Sequence, residues 1–115
     1  MTKFNKLNNK SFIIAEVGQN HQGDINIAKR YIETFSALGA DAIKFQTRDN
    51  KTLFSEKAFN KEYTGENAFA KKYGLHRERL ELKYNQLITL KKYCRKYKVK
   101  FMFRSKSNRL LFYFF

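Results

Sequence analysis

Two short apolar runs, SFIIAEVG at 11–18 and ADAIKFQT at 40–47, are separated by one amphipathic segment and a glycine. Both runs are short, apolar and bounded by turn residues, the pattern of buried strands. Between them, INIAKRYIETFSAL sets Ala28, Tyr31, Ile32 and Phe35 on one helical face and turns Lys29, Arg30 and Glu33 outward. Asp24 stands at the N-cap position, where its carboxylate can accept from free backbone N–H groups. Gly39 stands where a left-handed C-cap belongs. Strand, turn, helix, glycine and strand make a βαβ unit, and a crossover of that kind requires parallel strands. The chain is thereby committed to an α/β architecture.

Residues 48–75 show no clean period, and a connection of that length predicts a functional loop with short helices of its own. The segment HRERLELKYNQLITLKKYCRKYK (76–98) predicts the longest helix, with Leu80, Leu87, Leu90, Cys94 and Tyr97 sharing a stripe. VKFMF (99–103) then predicts a third strand. Residues 1–11 form a polar lead-in. The final dozen, RSKSNRLLFYFF (104–115), carry neither a cap nor a helical period, and no element is assigned to them.

Composition excludes several classes. The length of 115 residues allows one modest domain or a piece of a larger one. The single cysteine, Cys94, excludes an internal disulfide framework and suits a reducing compartment, where it serves as a small core residue. The polar N-terminus leads into too short an apolar run for a signal peptide or a membrane span, so a cytoplasmic protein without membrane contact is expected. The net charge of +14 is concentrated in residues 71–115, which hold fourteen basic residues against two acidic ones. That half, with Tyr84, Tyr93 and Tyr97 interleaved, is what a small basic nucleic-acid-binding or regulatory protein would show. No recognised nucleic-acid motif accompanies it, and nucleic acid is not the expected partner.

Alternation along the strands points to a site. In AIKFQT, Ile43 and Phe45 face one way while Lys44 and Gln46 face the other. In a parallel barrel the outward set packs on helices, leaving Lys44 and Gln46 inside, near the carboxyl end of the second strand. Glu16 holds the matching place on the first strand. A lysine beside a glutamine suits an anionic group such as a phosphate or carboxylate. A structural ion pair between Glu16 and Lys44 is an equal reading from patterning alone. His21 alone reads as a loop histidine bonded to backbone, and with only His76 besides it no metal site can be assembled.

The residues IAEVGQNHQGDINIAKRYIETFSALGADAIKFQT resemble the start of the sialic acid synthase family, which includes N-acetylneuraminate synthase and its legionaminate and pseudaminate relatives. Both the I-A-E-[IV]-G-x-N-H-x-G-[DS] and the G-A-D-A-[IV]-K-F-Q-T motifs of that family are intact, and the likeness runs from about Phe12 to Met102. The resemblance implies a (β/α)₈ TIM barrel, of which residues 12–103 would supply the first three βα units. It implies condensation of phosphoenolpyruvate with an N-acetylated hexosamine to a nonulosonic acid, aided by Mn²⁺ or Mg²⁺, in a homodimer. By motif, Glu16 would be catalytic, and Lys44 and Gln46 would bind the phosphate or carboxylate of phosphoenolpyruvate. Asn20 and His21 would shape the first βα turn and belong with Lys44 and Gln46 to the substrate-binding set.

Departures from the family pattern limit these implications. The family's third strand ends F-x-[SC]-T-P-[FS]-D, whereas this chain reads FMFRSKS, with Phe103 and Arg104 in place of the Ser/Cys and Thr. Neither His21 nor His76 matches a metal position of the family, so the metal ligands are expected to be absent. A truncated synthase without activity is therefore expected. Residues 104–115 form an aberrant basic and aromatic tail that a shift of reading frame would explain.

Overall fold

The computed structural model describes residues 10–50, 54–106 and 111–114, with Lys106 and residues 111–114 described by backbone alone. The first strand, β1 (Ile14–Gly18), is followed by helix α1 (Ile25–Ala37) and strand β2 (Ala42–Arg48), as the βαβ pattern requires. Asp24 caps α1: its Oδ1 accepts from the N–H of Asn26 at 2.8 Å and of Ile27 at 3.3 Å. At the far end Gly39 takes φ +93° and Ala40 N–H donates to the Phe35 carbonyl at 3.0 Å, which closes the helix.

Pairing of β1 with β2 is parallel, setting Ile14 against Ala42 and Glu16 against Lys44. The register slips between Glu16 and Gly18, so Val17 is an extra residue at the end of the strand and turns into the core. Strand β3 (Lys100–Lys106) pairs parallel with the other side of β2, with Gln46 opposite Arg104. The third strand thus runs past Phe103, the end expected from the sequence, because its ladder with β2 continues to Arg48.

Of residues 104–115, unassigned from the sequence, 104–106 continue β3 and 111–114 form a further element. Leu111–Phe114 form a strand, β4, antiparallel to β3, with Phe103 opposite Phe114 and Lys106 opposite Leu111. The sheet order is β1-β2-β3-β4: three parallel strands and one antiparallel strand at the edge.

Three helices lie between β2 and β3 among the described residues: α2 (Glu56–Phe59), α3 (Tyr73–Arg79) and α4 (Tyr84–Lys96). The single helix expected over 76–98 is two helices. The chain leaves α3 at Leu80, Leu82 enters the core, and Lys83 N–H donates to Gln86 Oε1 at 2.8 Å to begin α4. Leu87, Leu90 and Cys94 of the expected stripe are buried, while Leu80 lies outside the helix. Burial pushes the Cys94 thiol up to about 12, so it behaves as a small apolar residue.

The core lies on one face of the sheet, where Ala28 and Ile32 of α1 and Leu87, Leu90 and Cys94 of α4 meet Val17, Ile43, Phe45 and Phe101. The Tyr93 hydroxyl donates to Glu33 and ties α4 to α1. No helix among the described residues is long and apolar enough to cross a membrane.

Candidate active site

The face of the sheet away from the helices carries the polar side chains, because every second residue of a strand points there. On β1 and β2 those positions are Glu16, Lys44 and Gln46, and on β3 they are Met102 and Arg104. Lys44 Nζ lies 3.1 Å from Glu16 Oε2 across the shared register position. The Glu16 side chain is 52% exposed and that of Lys44 21%, so the carboxylate reaches toward solvent while the ammonium sits lower. The Gln46 side-chain oxygen accepts from Arg48 Nε at 3.1 Å and Nη2 at 3.2 Å once its amide is oriented to satisfy both groups. Glu16, Lys44 and Gln46 are therefore brought together at the carboxyl end of the parallel strands.

Asn20 and His21 lie apart from that group. The Asn20 amide donates to the Val17 carbonyl at 2.9 Å, so it fastens the turn to the end of β1. His21 is fully buried, and its ring centroid lies 6.1 Å from that of Phe45, whose side chain is on the helical face. Its Nδ1 accepts the Gly23 N–H at 2.9 Å, which fixes the neutral tautomer with hydrogen on Nε2. Burial holds this imidazole down at about 4, opposed by a backbone contact with Gly18. His21 thus shapes the turn from beneath and does not face Lys44.

A second network, not foreseen in the sequence, holds the rim in place. Glu81, in the linker between α3 and α4, accepts from the Gln19 amide and, through Oε2, from the Arg48 N–H at 3.1 Å. Arg77 donates in turn to the Gln19 carbonyl oxygen. Burial raises the Glu81 carboxyl above the usual range, against the bonds from Arg48 and Gln19 and the charge of Arg77. Gly23 takes φ +74°, and a Cβ there would stand 2.2 Å from the Arg79 carbonyl oxygen, so the linker rests directly on the first turn. The signal available in sequence was a carboxylate held between two leucines, Leu80-Glu81-Leu82.

Among the described residues, neither histidine offers its Nδ1 to a divalent metal. The His21 Nδ1 lone pair is used by Gly23, and that of His76 by Phe69 N–H at 3.1 Å. His76 is also enclosed by the rings of Tyr63, Phe69 and Tyr73. Among the described residues no three His, Cys, Asp or Glu side chains converge as ligands.

Comparison with known proteins gives four related findings. The NeuB family profile matches residues 31–109. N-acetylneuraminate-9-phosphate synthase of Mus musculus is 46% identical over 83 residues, covering 72% of this chain and 23% of that protein. Its Drosophila melanogaster counterpart is 37% identical over 106 residues, covering 92% of this chain and 28% of that protein. The crystal structure of N-acetylneuraminic acid (sialic acid) synthetase from Leptospira borgpetersenii serovar Hardjo-bovis, in complex with citrate, superposes with a TM-score of 0.67 at 28% identity. It is matched over 88% of this chain and 31% of its own. The chain spans about a quarter of the length of the curated relatives it matches.

Proposed function

The chain belongs to the NeuB family, and from that premise we propose that it carries the phosphoenolpyruvate-handling rim of a synthase that joins phosphoenolpyruvate to an N-acetylated hexosamine. The observation that supports this most is the pairing of Glu16 with Lys44 at the carboxyl ends of adjacent parallel strands, 3.1 Å apart and open to solvent. Barrel enzymes build their sites at that end of the strands. An ion pair this exposed adds about 0–1 kcal/mol to stability, too little to account by itself for two charges placed on neighbouring strands.

In the reaction proposed, the Lys44 ammonium and the Gln46 amide hold the phosphate or carboxylate of phosphoenolpyruvate. Glu16 acts at the reacting centre, where carbon–carbon bond formation at the sugar aldehyde requires a proton to move. With an anion bound, Lys44 turns from Glu16 toward the ligand, and the carboxylate is released for proton transfer. Asn20 and His21 keep the first turn in shape. The sheet of three parallel strands is read as the opening part of a (β/α)₈ barrel, and the dimer expected of the family belongs to the same proposal.

Titration of the 115-residue chain with phosphoenolpyruvate, followed by ³¹P NMR, tests this reading. Saturable broadening and shift of the phosphate resonance, lost in Lys44→Ala and retained in Glu16→Gln, is the expected result. Equal broadening in wild type and Lys44→Ala would exclude Lys44 as the anion ligand.

A further inference from the structure

On β3 the register sets Arg104 directly opposite Gln46, on the sheet face that holds Lys44 and away from the helices that cover Phe101 and Phe103. Neighbouring strands are about 4.8 Å apart, so the Arg104 side chain springs from the position next to Gln46. Arg104 Nε is buried and has no hydrogen-bond partner among the described residues, although the side chain as a whole remains partly exposed. Arginine keeps its charge under all ordinary conditions, so the buried Nε–H of Arg104 cannot be relieved by deprotonation. Lys44, Arg48 and Arg104 therefore form a cationic file with Gln46 at its centre, and Glu16 is the carboxylate seen facing it.

We infer that Arg104 is an anion-binding residue and that the file takes a small doubly charged oxyanion, a phosphoryl or a carboxylate compound. The inference rests on the proposal above and extends it onto the third strand, where the sequence departs from its family at this position. A planar guanidinium presents paired N–H groups to two oxygens of one anion, whereas lysine offers a point charge. Lys44 stands two residues before Gln46 on β2 and Arg104 opposite Gln46 on β3, so an oxyanion seated over the Gln46 amide would lie between the reach of both cations. Lys44, Arg48 and Arg104 carry three positive charges against the single negative charge of Glu16, and that excess of two is what a dianion neutralises.

The test uses the whole 115-residue chain, with inorganic phosphate, phosphoenolpyruvate and pyruvate as separate probes in isothermal titration. Circular dichroism confirms that each variant is folded. Phosphate and phosphoenolpyruvate are expected to bind, and Arg104→Gln to weaken both about tenfold or more, the effect of losing a charge-assisted contact. Arg95→Gln, on the exposed side of α4, controls for general attraction by the basic surface. Weakening by Arg104→Gln with none by Lys44→Ala would support the Arg104 site and overturn the Lys44 reading. The reverse would overturn the Arg104 inference and leave that reading standing. Equal weakening by Arg95→Gln, no binding of any probe, or binding of the monoanion pyruvate as tight as phosphoenolpyruvate would overturn the inference of a doubly charged ligand.

Discussion

The Glu81 carboxylate accepts the Arg48 backbone N–H at 3.1 Å, joining the end of β2 to a residue far along the chain. Through its other oxygen it holds Gln19, which opens the turn after β1. Both strands that carry the proposed site are thus fastened, at the end where it lies, by one side chain outside the sheet. The rim owes its shape to the linker between α3 and α4 as well as to the strands.

Removal of that carboxylate has a defined cost. Glu81→Ala leaves the Arg48 N–H without its acceptor and frees Gln19, and it should lower stability by about 1–3 kcal/mol, read as a lower midpoint in urea at unchanged slope. Glu81 also carries a pH signature. Its folded-state carboxyl titrates above the ordinary value, so the folded state holds the extra proton, and stability from this group falls as pH rises through that interval. Glu81→Gln removes the slope. An unchanged midpoint in the alanine variant would show that the linker is held by Leu82 alone.

Two glycines with positive φ should respond differently to alanine. Gly39 has φ +93° and open space around the missing Cβ, so Gly39→Ala meets only backbone strain, about 1 kcal/mol. At Gly23 the same strain is joined by a Cβ 2.2 Å from the Arg79 carbonyl oxygen. Gly23→Ala must push the linker away and should cost more than twice as much, with the Gln19 and Glu81 contacts disturbed alongside. Thermal midpoints of the two variants measured together would decide it, and equal losses would mean that the linker gives way freely.

The parallel sheet and the first helix were legible because they depend on local signals: the Asp24 cap, the Gly39 stop, and the alternation that separates Lys44 from Phe45. What could not be read depends on partners distant in sequence. The break between α3 and α4 follows from Glu81 reaching Gln19 and Arg48, and a helical period through 76–98 hides it. Strand β4 exists because β3 offers it an edge, and a segment without alternating polarity gives no sign of that. His21 stood in the sequence beside the site, yet the turn rotates it into the core against Phe45. Position in the chain marks the neighbourhood, and only the turn geometry decides which way the ring points.

His21 gives a second dependence on pH, opposite in sign to that of Glu81. Folded, its imidazole titrates at about 4, against an ordinary value of 6.5. Between those values the unfolded chain binds the extra proton, so stability from this group is fully present above about 6.5 and is lost as pH falls toward 4. Denaturant midpoints taken every half unit of pH should show the decline. His21→Gln, which has no such titration, should flatten it whatever its starting stability. A wild-type curve that stays level down to pH 4 would place the ring in water.

Catalysis asks more of the sheet than anion binding does. A parallel barrel continues by adding parallel strands until the last one meets the first. Here β4 runs antiparallel beside β3, and β1 stands at the other end of the sheet with Ile13 and Ile14 exposed at 56% and 44%. Side chains that would close over a substrate from the opposite wall are not supplied by these four strands. A sugar aldehyde held by one wall is free to rotate, and the effective concentration that orientation supplies is lost. A polypeptide of these 115 residues should therefore bind phosphoenolpyruvate without releasing phosphate from it when an N-acetylated hexosamine is added. A coupled phosphate assay at saturating substrates checks this, with Glu16→Gln as the blank. Release above that blank would show that Glu16, Lys44 and Gln46 suffice for turnover on an open sheet.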